Sequence, residues 1–71
     1  MSKNLPFLVY CIEEYKTQKR MTGRATMELF KKYGVQNYIY DCYDALHTTG
    51  PNYIVNDIDK FIRERDRKII S

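Results

Sequence analysis

The sequence predicts an all-α fold, a compact bundle of three to four short helices built by a single domain spanning residues 1–71. Three observations predict it. Apolar residues recur at three- and four-residue spacing in four stretches, no stretch alternates at the two-residue period of a strand, and short turn signals separate the stretches. A chain of this length buries only about 60% of the surface it exposes when unfolded, so its core is thin and its stability marginal. Its 44% hydrophobic and 30% charged content is that of a globular chain and not of a disordered tail. Seven Tyr and three Phe supply bulk for the core, each ring burying roughly 150–250 Å².

The first helix is expected over about residues 4–19. Leu5, Leu8, Val9, Ile12 and Tyr15 form its stripe, widened by Phe7 and Cys11, with Pro6 in the first turn and Asn4 as its N-cap. Thr22 caps a second helix whose apolar face is Ala25, Leu29, Phe30 and Tyr33. Gly34 stands where a helix ends in the left-handed conformation, just after Lys31 and Lys32 in the last turn. A third helix opens at Asn37, with Tyr38, Ile39, Cys42, Tyr43 and Leu46 inward and Tyr40, Asp41, Asp44 and His47 outward. Thr48 to Asn52 then reads as a turn holding two helix breakers, Gly50 and Pro51. The fourth helix is expected over about 53–69, capped by Asn52 or Asn56. Its stripe is Ile54, Ile58, Phe61, Ile62 and Ile69, with Arg65 on the same face. Asp59–Arg63 and Glu64–Lys68 stand in the stabilising acid-before-base order at i,i+4.

Two cysteines, Cys11 and Cys42, are too few for the disulfide framework that small secreted domains need. No signal peptide can be drawn and no apolar run approaches the roughly 18 residues of a membrane span, so a reducing cytoplasm is the expected compartment. The net charge of +3 is unevenly placed. Residues 1–34 carry seven basic against three acidic side chains, residues 35–59 carry four Asp and no Lys or Arg, and residues 60–71 carry five basic against two acidic. Basic ends and an acidic middle complement a protein of mixed charge better than they complement a nucleic acid.

Catalytic machinery is not legible. Cys42 and His47, five residues apart on one predicted helix, point in different directions, and both cysteines fit core packing. The lone His47 has no CxxC or HxxxE companion, and its place near a helix end fits an interaction with that terminus. No cofactor, metal or small-molecule substrate is therefore expected, and no enzymatic activity. The string from Leu29 to Asn37 has the turn glycine of a helix-turn-helix. However, Phe30 is bulky where two crossing helices want a small residue, and Asp41 and Asp44 on the would-be recognition helix repel phosphate.

Four blocks carry a resemblance: Phe7 to Tyr15, Glu28 to Val35, Tyr43 to Thr48 and Tyr53 to Asp59. Together, over about residues 5–62, they resemble the bacterial domain of unknown function 3791 family; the basic end at 60–71 falls largely outside. The family has no established activity to carry over. The resemblance implies a small helical protein of bacteria, in some cases encoded beside a protein resembling ADP-ribosyltransferases, as in toxin and antitoxin pairs.

The expected function is therefore a non-enzymatic protein-interaction module, in its sharper form the antitoxin-like partner of such a neighbour, with Tyr40, Asp41, Asp44, His47 and Asp57 as its contact surface. Tyrosines beside charges are frequent anchors of interfaces, and Tyr10 lies off its helix stripe as Tyr40 does. The alternative is a small nucleic-acid-binding regulator placing Lys16, Lys19, Arg20, Arg24, Arg63 and Arg67 on phosphate. Self-association is open under either reading, since burying a further face would add to a marginal monomer.

Overall fold

The computed structural model describes residues 5–70, with side chains through residue 67. Among these residues helix is the sole regular structure, with no strand. The elements are α1 (Leu5–Lys19), α2 (Gly23–Tyr33), α3 (Val35–Asp41), α4 (Tyr43–Leu46) and α5 (Pro51–Ile70). Helices α1, α2 and α3 all pack on α5 and on one another. The core between them is Leu8, Cys11, Tyr15, Phe30, Tyr33, Val35, Ile39, Ile54, Val55 and Ile58.

Local chemistry sets most of the boundaries. Helix α1 stops without glycine: Arg20 adopts φ 56°, its N–H donates to Thr17 O, and Met21 N–H reaches back to Lys16 O at 2.9 Å. That pair of bonds is a Schellman closure with arginine at the left-handed position. The Thr22 side chain then accepts from Ala25 N–H at 3.0 Å and starts α2. At the other end of α2, Gly34 sits at φ 70°, ψ 31° and is also the residue from which α3 departs.

Several expectations need correction. The third helix opens at Val35 and not Asn37, because the left-handed Gly34 turns the chain sharply enough for Val35 to enter the core at once. It also breaks at Cys42, whose φ −103° and ψ 16° separate α3 from α4. This break sets the Tyr43 ring edge-on to Phe7 at 5.3 Å while Leu46 stays buried. The last helix begins at Pro51, in the first-turn position where a missing N–H costs nothing. Gly50 O accepts from Ile54 N–H at 3.1 Å, so neither Asn52 nor Asn56 is the cap. Val55, off the predicted stripe, is buried. Leu5 and Val9, expected inward, are 44% and 51% exposed. The predicted Asn4 cap lies outside the described residues, and the Ile69 stripe position and the Glu64–Lys68 pair lie outside the described side chains.

The Asp59–Arg63 pair is not formed, because Asp59 is turned across the bundle. It accepts the Tyr15 hydroxyl at 2.7 Å and pairs with the Lys19 ammonium. Two equivalent bonds join the other helices to α5: Tyr33 to Asp66 at 2.8 Å and Tyr38 to Asp57 at 2.5 Å. Helices α1, α2 and α3 thus each donate one tyrosine hydroxyl to one aspartate of α5. Asp57 and Asp59, two residues apart, point to opposite flanks of the helix, whereas Asp66 lies two turns beyond Asp59 on the same flank. A hydrogen bond to a charged acceptor contributes about 1.5–3 kcal/mol.

Two substitutions at left-handed positions have opposite expected signs. Arg20→Gly relieves a conformation costly to a residue with a Cβ and raises stability by about 1 kcal/mol, whereas Gly34→Ala imposes that cost and lowers it by about as much. Nothing lies within 4 Å of an added Cβ at Gly34, so the loss there is conformational. Urea denaturation midpoints measure both. In the same assay Tyr15→Phe is expected to cost about 1.5 kcal/mol, and a double-mutant cycle with Asp59→Asn to show coupling of the two side chains.

Candidate protein-binding surface

The residues expected to form a contact surface divide in two. Tyr40, next to the buried Ile39 on α3, is half-buried and packed against the core. Asp57 is half-buried and holds Tyr38. Neither stands free as the sequence pattern placed it. Asp41, Asp44 and His47 are exposed on α3 and α4 and at the end of α4.

His47 is fixed by its own helix end. Its Nδ1–H donates to Tyr43 O at 2.7 Å, and its ring lies flat on that of Tyr43, centroids 4.4 Å apart with 5° between planes. The Thr49 hydroxyl donates to Leu46 O at 2.7 Å, so the His47 and Thr49 side chains each add a second bond to a carbonyl that already accepts the same residue's backbone N–H.

The Tyr43 ring continues this stack towards α1. It meets Phe7 edge-on, and Phe7 in turn lies beside Tyr10, centroids 6.1 Å apart. A row of four rings, Tyr10, Phe7, Tyr43 and His47, therefore crosses the seam between α1 and α4 with Asp44 exposed beside it. Phe7 also packs against the core, as its stripe predicts, and Tyr43, expected inward, is half-buried in this row. The off-stripe position of Tyr10 was the one signal that this flank of α1 faces outward.

The alternative basic set is scattered and partly neutralised. Lys16 pairs with Glu13 at 3.3 Å and Lys19 with Asp59; Lys19 also lies over the Tyr15 ring. Arg20, Arg24, Arg63 and Arg67 are exposed on three different segments. Two shallow depressions on α5 share Asp57 and Lys60, one floored by the stacked Tyr38 and Phe61 rings and the other flanked by Tyr53 and Asn56.

The cysteines are free thiols, Cys11 buried and Cys42 half-buried. Burial pushes the Cys11 thiol up from 9.0 to about 12, so it is no thiolate nucleophile at neutral pH. The Tyr15 and Tyr38 hydroxyls are likewise raised, by burial first and then by their bonds to Asp59 and Asp57. Among the described residues no group of three His, Cys, Asp or Glu converges on a point that would hold a metal ion. Among the described residues, no helix is long and apolar enough to cross a membrane.

A protein-family model described as protein of unknown function (DUF3791) matches residues 6–65. No curated protein and no solved structure matches the chain.

A group held protonated by the fold stabilises it fully below its unfolded pKa, and that contribution is lost as pH rises towards the folded value. Stability is therefore expected to decline from about pH 9 upwards as unfolded Cys11 ionises, and Cys11→Ala to flatten the decline between pH 9.0 and about 12. Denaturation midpoints across that range measure it. A thiol reagent at neutral pH should label Cys42 in the folded protein and reach Cys11 only at the rate of unfolding.

Proposed function

Because the chain belongs to the family described as protein of unknown function (DUF3791), we propose its function from the surface it presents: a non-enzymatic protein-interaction module. One observation carries this reading. The hydroxyls and carboxylates able to do chemistry in the interior are used up in joining helices to α5, whereas Asp41, Asp44 and His47 stay exposed at the end of the molecule built from residues 35–50, where the sequence has no Lys or Arg. Carboxylates without a cation nearby steer and orient a basic partner more than they stabilise their own fold. In its sharper form the reading makes the chain the antitoxin-like partner of an ADP-ribosyltransferase-like protein encoded beside it in a bacterial cytoplasm. That form is motivated by the family resemblance. Charge segregation and the acidic end support the general role.

Co-expression with the product of the neighbouring gene tests both levels. The expected result is a complex that survives purification and whose affinity falls about tenfold in the double variant Asp41→Lys, Asp44→Lys, from two rim charges each contributing up to about 1 kcal/mol. Unchanged affinity in that variant, with circular dichroism showing a folded chain, would refute the acidic end as the contact.

A further inference from the structure

The first two turns of α1 break the rule that a surface helix keeps one polar face. From Leu5 to Ile12 the sequence holds no charged residue. Leu8 and Cys11 face the core and are buried, yet Leu5, Val9 and Tyr10, on the outer side, are 44%, 51% and 40% exposed. Pro6 is exposed between them. A helix apolar on all sides is normally one that is covered on all sides. Here the outer side lies bare.

This bare face is continuous with the row of rings. Tyr10 belongs to both, and Phe7, Tyr43 and His47 carry the surface on to α4, where Asp44 and Asp41 stand exposed. The result is an apolar and aromatic strip, acidic at one end. From Leu5 to Ile12 and from Val35 to Asp59 the sequence has no Lys or Arg, and Lys16, beyond α1's second turn, is paired with Glu13. Contiguous apolar surface of this kind on a small protein marks an interaction site, and ring faces beside carboxylates suit guanidinium and ammonium groups, which stack on the one and pair with the other.

The charge pattern also chooses between occupants. In a symmetric pair of this chain joined through the strip, the same patch meets itself, so Asp41 and Asp44 of each copy face the rings and apolar side chains of the other, where residues 5–12 and 35–50 offer no Lys or Arg to pair with them. The basic residues of a second copy lie on other segments, so using them gives a head-to-tail contact without two-fold symmetry. We propose that the strip formed by the outer face of α1 and the Tyr10–Phe7–Tyr43–His47 rings is the docking surface for a cationic, partly apolar segment of a different protein, its apolar side chains on Leu5, Val9 and Tyr10 and its basic ones towards Tyr43, Asp44 and Asp41. This rests on the reading of the chain as an interaction module and adds the chemistry of the partner.

The test titrates the full chain with two synthetic amphipathic peptides of identical leucine pattern, one carrying arginines on its flanks and one carrying glutamines. Binding is followed by amide and aromatic shifts in two-dimensional NMR. The expected result is that the arginine peptide shifts Leu5, Val9, Tyr10, Tyr43 and Asp44 and binds at least about tenfold more tightly than the glutamine peptide. Tyr10→Ala and Asp44→Lys each weaken it, while Arg24→Ala on α2 leaves it unchanged. Both site variants alter exposed side chains and are checked for folding by amide dispersion.

Equal binding of the two peptides on the strip would overturn the cationic assignment while leaving an interaction surface in place. Shifts confined to α5, or no binding by either peptide, would overturn the strip itself; a neighbouring-gene complex lost on reversing Asp41 and Asp44 would then still uphold the module. Concentration-dependent light scattering abolished by Val9→Glu would assign the face to a second copy and overturn the proposal.

Discussion

The arrangement depends on α5 acting as the common acceptor of the bundle. Short helices in a chain of this size have little apolar surface to share, so packing alone leaves their rotation loosely defined. A tyrosine hydroxyl bonded to a fixed carboxylate defines it, because the ring must reach the core while its oxygen meets one acceptor. Tyr15, Tyr33 and Tyr38 do this for α1, α2 and α3. The aspartates serve both flanks of α5, with Asp57 towards α3 and Asp59 and Asp66 towards α1 and α2. Each is desolvated only as far as its tyrosine compensates, which avoids the cost of a buried unpaired charge.

Where side chain and backbone chemistry are local, the residues announce the fold. Thr22 and Gly34 mark the ends of α2, and the stripes of α2 and α5 name most of the buried side chains. The boundaries that escape are set by something other than their usual residue. Arg20 occupies a position glycine normally fills, so α1 ends without its signal. Cys42 breaks a helix with neither proline nor glycine present, and the gain appears only in the tertiary contacts of Tyr43 and Leu46. Pro51, a breaker within a helix, is a good opener of one; reading it as part of the turn moved the start of α5 by two residues.

The same distinction governs the surface. Asp41, Asp44 and His47 are recognisable as exposed because their helix has a clear polar side. Tyr40 is not, since its helical period groups it with Asp41 and Asp44 while its ring packs against the core. Asp57 looks like a free acid in the sequence because its partner, Tyr38, is nineteen residues away. The row of rings is equally invisible in one dimension: Phe7 and Tyr43 lie far apart in the chain, and each read separately is a core residue. The exposed half of α1 was hidden by its own uniformity, since a helix apolar on every side gives no period from which to tell in from out.

The placement of α5 also bears on how the chain is made. It follows the four other helices in sequence, and at twenty residues it extends roughly 30 Å, close to the 35 Å length of the molecule. A ribosome therefore makes α1, α2 and α3 before the element that accepts their tyrosines exists. During that interval α1 has both its inner and outer apolar sides uncovered, and what meets the nascent chain first meets its stickiest helix. Synthesis at roughly 5–20 residues per second makes the interval a matter of seconds, long enough for a partner or chaperone at the exit tunnel to engage α1 before its own bundle does.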